Sequence, residues 1–542
     1  MVSKYSNNVS TDSVVQLQDI VDNLQNIEKS IIQINKLLSE NSNILSLVQI
    51  QSYSATTNDH TALSAINVNL SKLIEFANNH AELHSSIKPL ILELISIHNI
   101  KVFYRCLNNE HSTITNPALR LLTNIVSFNN GFFVDQFLET FDLSLKSLAD
   151  LFFPTKTSVR LCKQGKFHLT VRHFMSRFWI SLCSNASPLT RNDLLVNNKK
   201  INNNWFKFIN EFDNIETIKL VIKFIDEKIL MESAFRKMTK CKILGDFTLS
   251  KLVDLYEIEG VNDELNDLLI KLTTDESNGL LFHDYRTYFN NVPLQCLDNN
   301  STFNNNGVTI SIGENKFKIN NKIIYNVLTL LHPWSNNIHL KLIIQILEKC
   351  SELSAPYTAF LFHSNGSHDP KLTSFYIGQT LLLTKIIQLP IPTNFTIMIK
   401  KFIENPSNST GLTAKHLMEI ICPSSLNRSS LSKGLNSQHS LIRHLSSQLI
   451  ISVLQKFHKI VKILQLDGNS HYLNIINEIQ DSLINLKLPD ASLFVGITND
   501  LLKSENINKL LLLNYMKIAE CYHNYLDIPI QLQLQKINEV ID

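Results

Sequence analysis

Along almost the whole chain, apolar residues recur at steps of three and four, the spacing of one face of an α-helix. In "HSLIRHLSSQLIISVL" (His439–Leu454), Ile442, Leu445 and Leu449 share such a face, and Arg443 stands at its edge. The arrangement returns elsewhere. "ALRLLTNIV" places Arg120 after Leu119 and before Leu122 and Val126, and "VRHFMSRF" places Arg172 after Val171 and before Phe174 and Phe178. Lys219 follows Ile218 and precedes Val221 and Ile225; Lys341 follows Leu340 and precedes Ile343 and Leu347. Successive cases lie roughly one or more helical-hairpin repeats of about 40–47 residues apart. The pattern predicts an all-α, HEAT- or armadillo-like helical-repeat solenoid. Each inner helix would bury an apolar stripe and hold a cation at its edge, where it hydrogen-bonds the end of a neighbouring repeat. Arg120, Lys219, Lys341 and Arg443 are therefore read as structural repeat-edge residues.

The same periodicity divides the chain. Residues 1–12 are polar and expected to be disordered. "VVQLQDIVDNLQNIEKSIIQINKLL" (Val14–Leu38) reads as one long helix, either capping a larger array or forming a coiled coil of its own. "QSYSATTNDH" reads as a loop, and residues 13–110 as helices that cap the solenoid. A helical-repeat region follows over 111–296, with its helical pattern running to residue 290. Residues 297–320 form a polar insertion: an Asn-rich linker, then alternation at Val308, Ile310 and Ile312, the turn "GEN", and Phe317 and Ile319. This reads as a small exposed β-hairpin, with a plain loop as the alternative. A second helical-repeat region covers 321–542, with a polar break at "NPSNSTG" (Asn405–Gly411).

Composition strengthens the helical reading. Of 542 residues only 13 are Gly and 14 are Pro, too few for the turns and positive-φ positions that β-rich or doubly wound folds consume. Eight widely spaced cysteines with no C-x-x-C pair point to reduced thiols of the cytosol or nucleus. The first residues lack the apolar core of a signal peptide. No uncharged apolar run of about 18 residues appears, so no membrane contact is expected.

Candidate chemistry is sparse. Phosphate-loop, dinucleotide, H-E-x-x-H and G-x-S-x-G patterns are absent from the sequence. His363, His368 and Asp369 in "HSNGSHDP" have poor metal spacing and read as a solvated loop; "CYHNY" (Cys521–Tyr525) reads as helix packing. The expectation is a protein that is not an enzyme, with no metal, cofactor or small-molecule substrate.

Charge changes the picture more. The whole chain carries only +2, yet residues 156–207 hold ten cations against the single acid Asp193, a local +9 that leaves −7 elsewhere. Lys156, Arg160, Lys163, Lys166, Arg172, Arg177, Lys199, Lys200 and Lys207 are the candidate RNA contacts; Arg191 completes the ten. Phe167, Phe174, Phe178, Trp179, Trp205 and Phe206 interleave with them, and "FRKMTKCK" (Phe235–Lys242) adds four further cations if it folds close to them in space. Nucleic-acid phosphates suit such a segment through counterion release. An acidic protein partner, or a merely solvated face with core aromatics, are the competing readings.

Several stretches resemble one family. "TNPALRLLTNIVSFNNG" (Thr115–Gly131), "LVDLYEIEGVNDELNDLLIKLTTDESNGLLF" (Leu252–Phe282), "LHPWSNNIHLKLIIQILEKCSELSAPY" (Leu331–Tyr357) and "LSKGLNSQHSLIRHLSSQLIISVLQKF" (Leu431–Phe457) are similar to the nucleolar pre-ribosomal-associated protein one (Urb/Npa) family. The resemblance covers about residues 100–460 and leaves out residues 1–60 and the Asn-rich insertion. Family proteins are much longer, so the chain is expected to be an N-terminal part. The resemblance implies a non-catalytic scaffold for early large-ribosomal-subunit assembly in the nucleus and nucleolus. Its implied partners are pre-rRNA of the large subunit and other early assembly factors, a DEAD-box helicase among them. A protein-only, karyopherin-like or tethering adaptor without RNA contact is the alternative.

Overall fold

A computed structural model describes residues 12–282, 307–313, 315–365, 369–392, 395–397, 399–400, 412–465, 472–503 and 508–532. Within them the backbone is helical apart from a two-stranded hairpin. The helices gather into two compact units, Met1–Leu268 and Leu269–Asp542.

The first unit begins with α1 (Asp12–Asp22), α2 (Ile27–Leu38), α3 (Asn41–Thr56), α4 (His60–Asn78), α5 (His84–Leu94), α6 (Ile100–Leu107) and α7 (Ser112–Ser127). It continues with α8 (Val134–Thr140), α9 (Lys146–Asp150), α10 (Lys156–Lys163), α11 (Val171–Asn185), α12 (Pro188–Asn197), α13 (Lys199–Lys207) and α14 (Ile209–Phe212). α15 (Ile215–Ile225), α16 (Lys237–Ile243) and α17 (Asp246–Asp254) complete it, and α18 (Asn262–Thr274) runs across the boundary.

Helices α4, α7, α11 and α15 stack side by side in that order. Their apolar stripes, among them Leu70, Leu73, Leu121, Ile125, Phe178, Trp179, Val221 and Ile225, are sealed from solvent. Burying each such side chain contributes about 1.5–3 kcal/mol. Polar bonds fix the rotation of each helix on the next: Asn124 Nδ2 donates to the Ser71 carbonyl at 2.8 Å, and His173 Nδ1 lies 3.2 Å from Thr217 Oγ1.

The second unit holds β1 (Val308–Ile312), β2 (Asn315–Ile319), α19 (Lys322–Leu330), α20 (Asn337–Lys349), α21 (Ser354–Asn365) and α22 (Ser374–Gln388). Helices Ala414–Ile421, Arg428–Leu435, Ser440–Leu464, Leu473–Ser482, Ala491–Leu502 and Lys509–Leu526 follow. Here α22, Ser440–Leu464 and Lys509–Leu526 stack in turn. Gln388 Nε2 donates to Ser452 Oγ and Gln448 Nε2 to Asn514 Oδ1, each at 2.9 Å. The all-α repeat architecture expected from the periodicity is what forms.

Local details differ in four places. The single helix expected over Val14–Leu38 is two, because Asn23 bonds back to α1 and Asn26 caps α2 by accepting from the Lys29 amide. The expected loop Gln51–His60 is mostly helix: α3 runs to Thr56, since Gln51 finds Asn67 at 2.6 Å inside the core. The turn shrinks to Thr57–Asp59, with Asn58 at φ 57°. The hairpin forms as an antiparallel ladder pairing Ile310 with Phe317, with Gly313 at φ 59° in the turn. It is not fully exposed, however, because β1 packs on α21 and both Ile312 and Ile319 are buried. Helix α18 ends at Thr274, where the Asp275 carboxylate accepts from the Ser277 and Asn278 amides, and the part of the helical pattern expected over 283–290 lies outside the described residues. Residues 1–11 and the polar stretches 297–306 and 405–411 lie outside the described residues.

After α7, Asn129, Asn130 and Gly131 all take positive φ, 45°, 56° and 87°. A Cβ on Gly131 would sit 2.6 Å from the Asn185 carbonyl oxygen at the end of α11. Gly131→Ala is therefore expected to lower the unfolding free energy by about 1–3 kcal/mol in urea titration, from clash and a strained backbone together.

Candidate nucleic-acid interface

The basic segment is organised around one residue that does not face solvent. Arg172, in the first turn of α11, is 1% exposed. Its Nε and Nη2 grip the Asp213 carboxylate at 3.1 and 2.5 Å. Its Nη1 donates to the Phe152 carbonyl at 3.0 Å and its Nη2 to the Trp205 carbonyl at 2.6 Å. One guanidinium thus ties together the chain after α9, the last turn of α13 and the residue that follows α14. Burial pushes the Asp213 carboxyl up, and Arg172 pulls it back down. Arg172 was expected among the RNA contacts; its donors are consumed internally, so it is a structural residue.

Arg191 behaves alike. It donates to the carbonyls of Cys183, Ser184 and Ala186 at the end of α11 and to that of Lys228, and pairs with Glu232 at 2.8 Å. The interleaved aromatics join the core: Phe178, Trp179, Trp205 and Phe206 are buried, and the Trp179 indole donates to Asn202 Oδ1 at 3.1 Å. Phe167 and Phe174 are half-buried.

The other candidates reach solvent. Lys156, Arg160, Lys163, Lys166, Arg177, Lys199, Lys200 and Lys207 are all exposed. Lys156, Arg160 and Lys163 sit four and three residues apart, one face of α10 with an axial span of about 10 Å. Lys199 and Lys200 open α13, and Lys207 closes it. The Lys207 ammonium lies 5.5 Å from the Phe153 ring centre and 5.2 Å from that of Phe208, so α13 ends beside the approach to α10. The weak 3.5 Å contact of Lys200 with Asp150 leaves both side chains about half exposed and neutralises little. α16 packs against α12; its Lys242 and the adjoining Arg236 are exposed, whereas Lys240 is buried and donates to the Leu230 carbonyl at 2.5 Å.

The repeat-edge cations share a register but not a fate. Arg120 on α7 pairs with Glu75 of α4 at 2.8 Å, and Lys219 on α15 with Glu264 of α18 at 2.5 Å. Each bond spans 45 residues, one joining α7 to α4 and the other α15 to α18. Arg443 donates to the Ser437 carbonyl at the entry of its own helix. Lys341 is exposed. In the second unit, cations outside that register cap helix ends: Arg428 donates to the Ile484 and Leu488 carbonyls, Lys487 to those of Pro423 and Leu426, and Lys456 to that of Leu389. Burial pushes the Lys456 ammonium down to about 8. Periodicity does not reveal these residues, because a cation inside an apolar helix reads the same whether it snorkels to water or meets a distant carbonyl.

Of the loop considered for metal, His368 lies outside the described residues and Asp369 pairs with Lys371 at 3.3 Å. Among the described residues no group of three His, Cys, Asp or Glu side chains converges. Burial pushes the thiols of Cys106, Cys183, Cys422 and Cys521 upward, away from nucleophilic reactivity.

Arg172→Met would leave the Asp213 carboxylate buried without its partner, an expected loss of about 3–5 kcal/mol in chemical unfolding. Lys163→Ala, on the surface, should stay within about 0.5 kcal/mol. His173 supplies a pH test. Burial, with Arg177 and His168 nearby, holds its imidazole down at about 4, against an ordinary 6.5. The unfolded chain then takes up a proton near pH 6.5 that the folded chain accepts only near 4, so stability falls as pH drops through that window. His173→Gln should flatten the fall by up to about 1.4 kcal/mol per pH unit.

The segment 156–207 lies wholly within residues 44–379, which match the sequence profile of the Npa1 family, described as Ribosome 60S biogenesis N-terminal. The nucleolar pre-ribosomal-associated protein 1 of Saccharomyces cerevisiae is 33% identical over 482 residues, 88% of this chain and 26% of that protein. The chain thus spans about a quarter of that relative's length. Among solved structures, an engineered protein is 12% identical with a TM-score of 0.30, covering 94% of this chain and 99% of its own. A circular tandem repeat protein is 11% identical at 0.22, covering 98% of this chain and 97% of its own. Kap121p bound to Pho4p is 10% identical at 0.19, covering 94% of this chain and 63% of its own. These superpositions are too loose to add to a fold that rests on the chain's own packing. The family profile covers more than half of the chain, and the chain belongs to the Npa1, ribosome 60S biogenesis N-terminal, family.

Proposed function

We propose that the chain is a non-catalytic scaffold of early large-subunit assembly in the nucleolus that contacts pre-rRNA directly. The observation that carries this reading is the set of eight exposed cations, Lys156 to Lys207, facing solvent with the single acid Asp193 among them. Arg172 ties α11 to α13 and to the chain that leads into α10, and Arg191 ties α12 to the end of α11, so the helices that carry the charges are joined through buried bonds. Preorganised cations lose little conformational entropy on meeting phosphates and release the counterions those phosphates had condensed. The stacked helices supply further surface for protein partners, other early assembly factors and a DEAD-box helicase among them.

Ultraviolet crosslinking of the tagged chain in cells, with sequencing of the attached RNA, tests this. Reproducible peaks on the large-subunit rRNA precursor are expected, lost when Lys163, Lys166, Lys199 and Lys200 are changed to Glu. Copurification with pre-ribosomes without such peaks would assign the cations to an acidic protein and overturn the RNA contact.

A further inference from the structure

Resting on that RNA-contact reading, the geometry points to a duplex reader: we infer that segment 156–207 recognises the phosphate backbone of double-helical RNA in preference to single strands. Proteins that hold single-stranded RNA combine cations with exposed aromatic faces on which successive bases stack. The sequence offers such aromatics in the right company, but the fold spends them. Phe178, Trp179, Trp205 and Phe206 are at most 5% exposed. Trp205 is packed among Phe152, Phe206 and Phe224. Phe153 and Phe208, half-buried beside α13, meet edge to face at 5.8 Å and share the Lys207 ammonium over their rings. No Phe, Tyr or Trp of residues 156–207 is exposed.

What remains outside is charge without a fully exposed stacking platform, arranged as one row and one pair. The row runs along α10 through Lys156, Arg160 and Lys163 to Lys166 just beyond; the pair opens α13 at Lys199 and Lys200. They are joined where Lys207 meets the approach to α10. Lysines and arginines on helices carry no base-specific information when they meet phosphates, but they do follow backbone geometry. Regularly spaced phosphates on a stiff A-form helix match cations held on stiff helices, whereas a flexible strand must be ordered first and here gains no stacking in return.

Fluorescence anisotropy of the purified 542-residue chain with an RNA duplex of about 16 base pairs and with one strand of it, at matched salt, tests the inference. The duplex is expected to bind about tenfold or more tightly, and a duplex of permuted sequence to within about twofold of it. Changing Lys156, Arg160 and Lys163 together to Glu should weaken duplex binding and reduce its log–log salt slope by about 0.7–0.9 per lost contact. These side chains are exposed, and circular dichroism checks that the variant stays folded. Equal or tighter binding of the single strand overturns the duplex preference while leaving RNA contact standing. Binding of neither RNA overturns RNA contact itself.

Discussion

The first unit depends on a buried guanidinium. A chain of many short helices creates many helix ends, and each end leaves carbonyls without intrahelical partners. Glycine in a left-handed cap is the common remedy, but this chain has 13 glycines in 542 residues. Arg172 supplies the donors instead, to Phe152 and Trp205, with Asp213 balancing its charge. Removing either partner would strand a charge in the interior, which is why the pair constrains three segments at once.

The same solution recurs with different neighbours. Arg191 closes the end of α11, Lys240 the turn after α15, and Arg428, Lys456 and Lys487 the helix ends of the second unit. A cation's donors match the partial negative charge of a helix C-terminus, and the low local dielectric strengthens the bond. Lys456 shows the cost: burial, with Lys459 nearby, pushes its ammonium down from 10.5 to about 8.

This internal use of cations sharpens the surface. Two of the ten positive charges of residues 156–207 are neutralised by Asp213 and Glu232, acids that lie beyond the segment. Of the eight that remain, three lie on α10 and three on α13, Lys166 follows α10 and Arg177 stands on α11, and α13 is anchored in the core by Ile201, Trp205 and Phe206. Membership of a 60S biogenesis family and an exposed basic surface are separate observations, one from the sequence profile and one from the packing.

The sequence by itself determined the helical class, the apolar stripes at Ile442, Leu445 and Leu449, the hairpin near Val308–Ile319 and the family. All of these follow from local periodicity or from residue-by-residue similarity, which survive without knowledge of contacts. It also placed Arg120 and Lys219 at repeat edges, because a helix face and a repeat length suffice to find them. Only the tertiary structure decided that Arg172 turns inward while Arg177, five residues on, stays in water. It likewise decided that Trp179 and Trp205 belong to the core, and that Gln51 extends a helix through what reads as a loop. Those outcomes rest on partners 16 to 41 residues away, Asn67 and Asp213 among them, and a local pattern carries no record of where such partners come to lie.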